Sequence, residues 1–104
     1  MMNLYRNNKE NNMKIEHVPG KKTANVMLYA LSTCGWCRKT RELLDSLGVE
    51  YDYVYVDLLT GKDREEAIKM VEKWNPSRSF PVVVLNDTKC IIGFKEDDLK
   101  QALK

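Results

Sequence analysis

The chain has 104 residues and is 43% hydrophobic, which is enough for one domain with one hydrophobic core. Its net charge of +2 comes from 17 basic and 15 acidic residues, and this balance gives no argument for a nucleic acid or a membrane as partner. No apolar run approaches the roughly 18 residues that a transmembrane helix needs, and the polar N-terminus predicts no signal peptide. We therefore expect a cytoplasmic protein, in which paired cysteines are more often catalytic or metal-binding than structural.

Residues 1–24 are predicted to be a disordered or loosely attached extension of a domain that covers residues 25–104. Residues 1–12 contain five asparagines and almost no apolar pattern, which indicates disorder, and Met13 is an alternative start. Ile15 and Val18 precede a Pro19-Gly20 turn signal. That segment is either a short extra strand or a linker.

The first half of the domain is predicted to be a β-α-β unit. Residues 25–30 form a buried strand, residues 36–47 a helix, and residues 51–56 a strand rich in β-branched and aromatic side chains. Gly48 ends the helix as a left-handed cap. Because a crossover helix joins the two strands, they are parallel. The second strand has tyrosines on one face, which predicts packing under a helix: Tyr51, Tyr53 and Tyr55.

A second helix is predicted over residues 63–74. Asp63 and Glu66 form a capping-box pattern at its start, and Asn75-Pro76 ends it. Its apolar residues recur at helical spacing and predict one buried face: Ala67, Met70, Val71 and Trp74.

The last third of the chain is predicted to be a β-hairpin followed by a helix. Residues 81–85 and 89–92 are apolar strands, and the turn at residues 86–88 is too short for any pairing but an antiparallel one. Residues 96–103 form the closing helix. Cys90, in the second strand of the hairpin, is interpreted as a small buried side chain.

Two cysteines with two residues between them lie where the first strand gives way to the first helix, a pattern typical of a thiol–disulfide redox centre. Cys34 faces the unpaired N–H groups and the positive end of the helix dipole, which stabilise the nucleophilic thiolate. Cys37 lies one turn further on and is predicted to resolve the mixed disulfide. The first turns add positive charge that favours the thiolate: Arg38, Lys39 and Arg41.

Half of a zinc site is the alternative interpretation of the two cysteines. Zinc usually takes four nitrogen or sulfur ligands. Only Cys90 and His17 remain as ligands of those kinds, on segments predicted to be far apart. The redox interpretation is therefore favoured.

The order β-α-β-α-β-β-α with this motif resembles the thioredoxin fold and, within it, the glutaredoxin family. The resemblance covers the chain from Val26 to the end and rests on four segments: Leu28-Tyr29 leading into Thr33-Cys34-Gly35-Trp36-Cys37, Val56-Asp57, Ser79-Phe80-Pro81-Val82, and Gly93-Phe94-Lys95-Glu96-Asp97-Asp98-Leu99. It implies an α/β domain with a central four-stranded mixed sheet flanked by helices. Pro81 matches the family's cis-proline, which would turn the backbone N–H and C=O of Phe80 towards an extended substrate strand.

Two positions depart from the glutaredoxins that bind glutathione. Leu31 stands where those proteins place a lysine, three residues before the first cysteine, and Phe94 replaces the second glycine of a Gly-Gly pair. The run Gly93-Phe94-Lys95-Glu96-Asp97 is similar instead to small glutaredoxin-like redoxins, which donate electrons to ribonucleotide reductase and accept them from thioredoxin-reductase-type enzymes. The residues expected to bind substrate are Trp36, Phe80, Pro81, Gly93 and Phe94.

The resemblance implies a monomeric dithiol oxidoreductase, an electron carrier that reduces protein disulfides and is recharged by a reductase protein. No organic cofactor, metal, nucleic acid or membrane is required. Two alternatives stay open. One is a glutathione-dependent glutaredoxin. The other is a dimer that bridges an iron–sulfur cluster through Cys34, because Gly35-Trp36 lacks the proline that usually discourages cluster binding.

Overall fold

The computed structural model describes residues 14–104. In this range a 3-10 turn at Val56–Leu58 joins the third strand to the second α-helix. The strands and α-helices are, in chain order, β1 (Glu16–Val18), β2 (Val26–Ala30), α1 (Gly35–Leu47), β3 (Tyr51–Tyr55), α2 (Gly61–Trp74), β4 (Val82–Leu85), β5 (Lys89–Ile92) and α3 (Glu96–Ala102). The order predicted for residues 25–104 is therefore confirmed. The disorder predicted for residues 1–12 lies outside the described residues.

The sheet has the strand order β1-β3-β2-β4-β5. β2 and β3 are parallel, and the other neighbouring pairs are antiparallel. The predicted sheet of four strands is thus one strand too small, because Glu16–Val18 forms an edge strand on β3. The strand alternative for that segment, and not the linker, is the one observed.

Backbone contacts hold the segment after β1 against the end of α1. The Lys21 N–H donates to the Gly48 carbonyl over 2.8 Å, and the Glu50 N–H donates to the Lys21 carbonyl over 2.9 Å. A Cβ atom on Gly20 would lie 2.7 Å from both the Gly48 oxygen and the Val49 carbonyl carbon, so only glycine fits there. His17 adds a side-chain contact, since its ring lies between carboxylates of Glu50 and Asp52.

Two apolar layers cover the two faces of the sheet. On one face, α1 and α3 pack Leu44 and Leu99 against Leu28 of β2. On the other face, α2 packs Ala67 and Val71 against the sheet. This two-sided covering explains why β4 is buried at every position and carries a continuous apolar run instead of an alternating one.

Two predictions for α2 are wrong. The helix begins at Gly61 with Thr60 as its N-cap, so Asp63 lies within the first turn and forms no capping box with Glu66. Met70 is 39% exposed, because it lies at the border of the apolar stripe whose centre is formed by Ala67 and Val71.

The face of three tyrosines on β3 packs under α1, as predicted. The rings of Tyr51, Tyr53 and Tyr55 follow one another along the strand, with centroids 6.1 and 5.3 Å apart. The Arg41 guanidinium lies 4.0 Å from the centre of the Tyr53 ring. It also donates to the hydroxyls of Tyr51 over 3.1 Å and Tyr55 over 3.3 Å.

Candidate active site

Cys34 is the N-cap residue of α1, and its sulfur accepts a hydrogen bond from the Cys37 N–H over 3.1 Å. The residue has extended backbone angles, φ −94° and ψ 117°, while its carbonyl accepts the first helical bond from Arg38. An N-cap side chain normally offers an oxygen to these free N–H groups. Here a sulfur takes that place, so the free N–H groups and the positive end of the helix dipole face the Cys34 sulfur.

Cys37 is in the opposite environment. Its side chain is buried, and both cysteines are free thiols. Burial, as the larger cause, and the hydrogen bond with Cys34 together raise the pKa of the Cys37 thiol to about 12. Cys37 therefore stays protonated at neutral pH, whereas the Cys34 side chain is partly exposed.

The loop that leads into Cys34 is fixed by Asp57, which follows β3. One Asp57 oxygen accepts the Ser32 N–H over 2.8 Å and the other accepts the Ser32 hydroxyl over 2.5 Å. Partial burial acts to raise the pKa of Asp57, but the Ser32 hydrogen bonds outweigh it and lower that pKa. Sequence reasoning assigned Asp57 no role of its own. Its position just after β3, which pairs with β2, was the signal that could have indicated one.

The positively charged residues of α1 divide between two places. Arg38 and Lys39 are exposed and line a shallow groove beside Trp36, together with Gly35 and Glu42. Arg41 is bound to the tyrosines of β3 instead. The predicted influence of Arg38 and Lys39 on the thiolate stays a prediction.

The residues expected to bind substrate lie together. The Trp36 and Phe94 rings stack with centroids 5.8 Å apart and planes 23° apart, and Trp36 remains 60% exposed. The Phe80–Pro81 peptide bond is cis, as expected. The Gly93 N–H donates to the Pro81 carbonyl over 2.8 Å, which ties the segment before α3 to the start of β4.

Contacts with the core bring this group next to the cysteines. Phe80, Phe94 and Cys34 all pack against the apolar layer under α1 and α3. Gly93 has a φ of +88°, a conformation that side chains rarely adopt. Trp36, Phe80, Gly93 and Phe94 therefore contribute to one surface beside Cys34, whereas Pro81 is buried, and the roles of all five in binding stay predictions.

A second groove adjoins this surface, and sequence reasoning missed it. Leu31 and Phe80 form its side nearest Cys34, because the Leu31 carbonyl accepts the Cys34 N–H over 3.2 Å. Arg64 from α2 and Arg78 from the following loop supply its positive charge. The groove is lined by Leu31, Val56, Asp57, Arg64, Ile68, Val71, Arg78 and Phe80.

The remaining candidates lie apart from these grooves. Cys90 is half-buried on β5, and its sulfur lies 3.7 Å from the Trp74 carbonyl oxygen. Within residues 14–104, no three His, Cys, Asp or Glu side chains are grouped so that they could hold a metal ion. In the same part of the chain, no helix has the length and apolarity needed to cross a membrane.

A thioredoxin-like sheet that presents a dithiol pair at the start of a helix defines a thiol–disulfide oxidoreductase. The family model described as Glutaredoxin matches residues 26–90. The chain belongs to the glutaredoxin family, and the predicted fold class and enzyme class are both confirmed.

Known relatives agree with this assignment. The chain is similar to the crystal structure of the glutaredoxin from Methanosarcina mazei Go1, with 51% identity, a TM-score of 0.81, and coverage of 86% of this chain and 87% of that one. It is 50% identical to methanoredoxin from Methanosarcina acetivorans, with a TM-score of 0.79 and coverage of 81% and 88%. A glutaredoxin-like 8.6 kDa protein in the rubredoxin operon of Clostridium pasteurianum is 27% identical over 79 residues, covering 76% of this chain and 97% of the relative.

Proposed function

We propose that the protein reduces protein disulfides through Cys34 and Cys37 and takes its electrons from a reductase protein. The Cys34 thiolate attacks one sulfur of the target disulfide, forms a mixed disulfide and expels the other sulfur as a thiolate. Cys37 then loses its proton and attacks the Cys34 sulfur. This step releases the reduced target and leaves a Cys34–Cys37 disulfide, so two electrons pass to the target. The contact between the Cys37 N–H and the Cys34 sulfur is the observation that carries the proposal.

The preference for a reductase protein rests on two apolar side chains. Leu31 stands where glutathione-binding relatives place a charged lysine. Phe94 stands where they have a glycine, whose backbone is open to glutathione. Phe94 instead stacks on the exposed Trp36, and an exposed aromatic pair is a typical contact for a protein partner. The similarity of Gly93-Phe94-Lys95-Glu96-Asp97 to the redoxins supports ribonucleotide reductase as one target. Because the reaction needs Cys34 as a free thiol, we propose a reducing, cytoplasmic location and a monomeric carrier.

A small thiol with a carboxylate, such as glutathione, is the second candidate for the electron donor. The groove lined by Arg64 and Arg78 supports it, because guanidinium groups bind carboxylates in a two-pronged geometry. Arg78 already contacts the Glu72 carboxylate over 3.2 Å, so Arg64 is the freer of the two for this purpose.

The proposed reaction uses the cysteine pair itself as the redox group and requires neither an organic cofactor nor a metal. A cluster-binding dimer is the competing proposal, supported by the lack of proline in Gly35-Trp36. Anaerobically purified protein distinguishes the two. We expect a colourless monomer, whereas brown protein that elutes as a dimer and loses its colour in the Cys34→Ser variant would support the cluster.

Turnover on a protein disulfide with two different electron sources tests the donor. One reaction contains a thioredoxin-reductase-type enzyme with NADPH, and the other contains glutathione, glutathione reductase and NADPH. We expect turnover with the first. Turnover with glutathione that falls in Arg64→Ala, but not in the control Lys62→Ala on the same exposed turn of α2, would instead favour the small thiol. Lys62 does not line the groove.

A further inference from the structure

The loop between α2 and β4 is folded around the side chain of Asn75. This residue follows α2 and is only 4% exposed, which is unusual for an asparagine. Buried amides are retained where their hydrogen bonds are satisfied. Both the nitrogen and the oxygen of the Asn75 side-chain amide have hydrogen-bond partners among the four residues that follow it.

The Asn75 amide nitrogen donates to the Ser79 carbonyl oxygen over 2.9 Å and to the Ser79 hydroxyl over 3.0 Å. Its amide oxygen accepts the Ser77 hydroxyl over 2.8 Å and the Ser77 N–H over 3.3 Å. Its main-chain carbonyl accepts the Arg78 N–H over 2.9 Å. Arg78 has a φ of +54°, a conformation that a residue with a side chain adopts only when its surroundings hold it there.

The contact with the Ser79 carbonyl sets the direction of the next N–H group. The peptide bond between Ser79 and Phe80 is trans and planar, so its C=O and N–H point in opposite directions. Since Asn75 draws the Ser79 C=O inward, the Phe80 N–H points away from the loop. Within residues 14–104 this N–H donates to no protein acceptor.

We propose that Asn75 is a positioning residue that aims the Phe80 N–H at a backbone carbonyl of the substrate segment carrying the disulfide. The inference deepens the proposed function and rests on it, because Phe80 belongs to the surface around Cys34. The partner is an extended polypeptide, whose backbone carbonyls can accept this hydrogen bond, and not a small disulfide without a backbone. Asn75 thereby contributes to selection between protein and small-molecule disulfides.

The Asn75→Asp variant tests this role, with Ser77→Ala as the matched control. The aspartate keeps an oxygen for Ser77 but loses both donors to Ser79, whereas Ser77→Ala removes a bond of the same loop and leaves the Ser79 carbonyl held. Each variant is assayed on a peptide disulfide and on hydroxyethyl disulfide. For Asn75→Asp we expect kcat/KM on the peptide to fall about fivefold to tenfold, mainly through KM, which is the effect of one net hydrogen bond.

The small disulfide provides the contrast. Its rate should stay within about twofold of the wild type in both variants, because it makes no hydrogen bond to Phe80. An equal loss on both substrates, or no loss on the peptide, would overturn the proposal. An equal loss is what a purely structural role predicts.

A measurement that does not depend on the folding of Asn75→Asp uses the full chain with Cys37→Ser. The peptide is trapped on Cys34 as a mixed disulfide, and amide hydrogen exchange of Phe80 is followed by NMR. We expect that exchange to slow at least about tenfold on trapping, because the N–H acquires an acceptor. If the mixed disulfide forms normally but the exchange rate of the Phe80 N–H is unchanged, this N–H has gained no acceptor. That result would overturn the role of Asn75 and leave the proposed function intact. Failure of Cys34 to form any mixed disulfide would overturn the proposed function as well.

Discussion

The main-chain N–H of Cys37 points at the sulfur of Cys34 across 3.1 Å. In the proposed reaction, the resolving residue thus supports the attacking one before any disulfide arrives. This contact exists because α1 begins at Gly35, which makes Cys34 the N-cap and leaves the N–H groups of the first turn without helical partners. One helix therefore sets both the hydrogen bond to the Cys34 sulfur and the position of Cys37.

The stability of the reduced protein should depend on pH through the Cys37 thiol. Because burial raises the pKa of Cys37 to about 12, the folded reduced protein keeps a proton that the unfolded chain releases near pH 9. This contribution to stability is present below pH 9 and is lost as the pH rises towards 12, by at most about 1.4 kcal/mol per pH unit. Urea unfolding between pH 8 and pH 11 measures it.

The control for that measurement is the Cys37→Ser variant, which has no thiol at this position. Tyr51 and Tyr29 also have raised pKa values and affect both proteins equally. The free energy of unfolding of the reduced wild type should therefore fall more steeply above pH 9 than that of the variant. Parallel curves would contradict the assigned state of Cys37.

Asp57 should matter for both stability and reactivity. Asp57→Asn keeps an oxygen for Ser32 but removes the charge that strengthens both hydrogen bonds. We expect the free energy of unfolding to fall by about 1–2 kcal/mol at pH 7. The wild type should lose this advantage at acidic pH, because a lowered carboxyl pKa stabilises the fold only while the group is ionised.

Ser32→Ala provides the matching background for Asp57→Asn. Ser32→Ala removes the hydrogen bond from the Ser32 hydroxyl to Asp57. In this background, Asp57→Asn should lower the free energy of unfolding by less than it does in the wild type, which a double-mutant cycle measures. Strict additivity of the two changes would show that Asp57 acts on something other than Ser32.

Trp36 should contribute to the binding of protein substrates and little to folding. Because it is 60% exposed, Trp36→Ala should change the free energy of unfolding by less than about 1 kcal/mol. The KM for a protein disulfide should rise about fivefold or more, as for an aromatic anchor at an interface. Ile15→Ala, which removes an exposed apolar side chain next to the edge strand β1, should leave that KM unchanged. A comparable rise in both variants would argue against a specific contact at Trp36.

The segment after β1 should depend on a glycine that nothing else can replace. A Cβ on Gly20 meets backbone atoms at 2.7 Å, so Gly20→Ala should lower the free energy of unfolding by about 1–3 kcal/mol. At Gly35 nothing lies within 4 Å of the added atom, and Gly35→Ala should cost nothing. Urea titrations measure the free energies of unfolding of the two variants. Equal values would contradict the close approach of Gly20 to the backbone of Gly48 and Val49.

The elements that were predicted from the sequence are those whose apolar residues repeat. Leu43 and Leu44 mark the buried side of α1, and Gly48 ends that helix with the expected left-handed conformation, φ 69°. The site motif was equally accessible, since Cys34 and Cys37 are adjacent in the sequence and in space. These features are local, so the sequence alone determines them.

The features that were missed or left open depend on contacts between distant segments. The segment that forms β1 was left open as a strand or a linker, because it is short and largely exposed and is fixed by backbone pairing instead of an apolar pattern. Asn75 was predicted only as a helix end, because its bonds to Ser77 and Ser79 exist only once the loop is folded. Arg64 and Arg78 line the same groove although one lies on a helix and the other in a loop. Their separation in the sequence does not predict that they lie near each other.

Mass spectrometry after reaction with insulin, a protein disulfide, tests the roles of the two cysteines most directly when it is applied to the Cys37→Ser and Cys34→Ser variants. We expect Cys37→Ser to accumulate a mixed disulfide through Cys34 that dithiothreitol reverses, and Cys34→Ser to form none and to reduce no disulfide. A mixed disulfide on Cys37 or Cys90, or normal activity in Cys34→Ser, would contradict these roles.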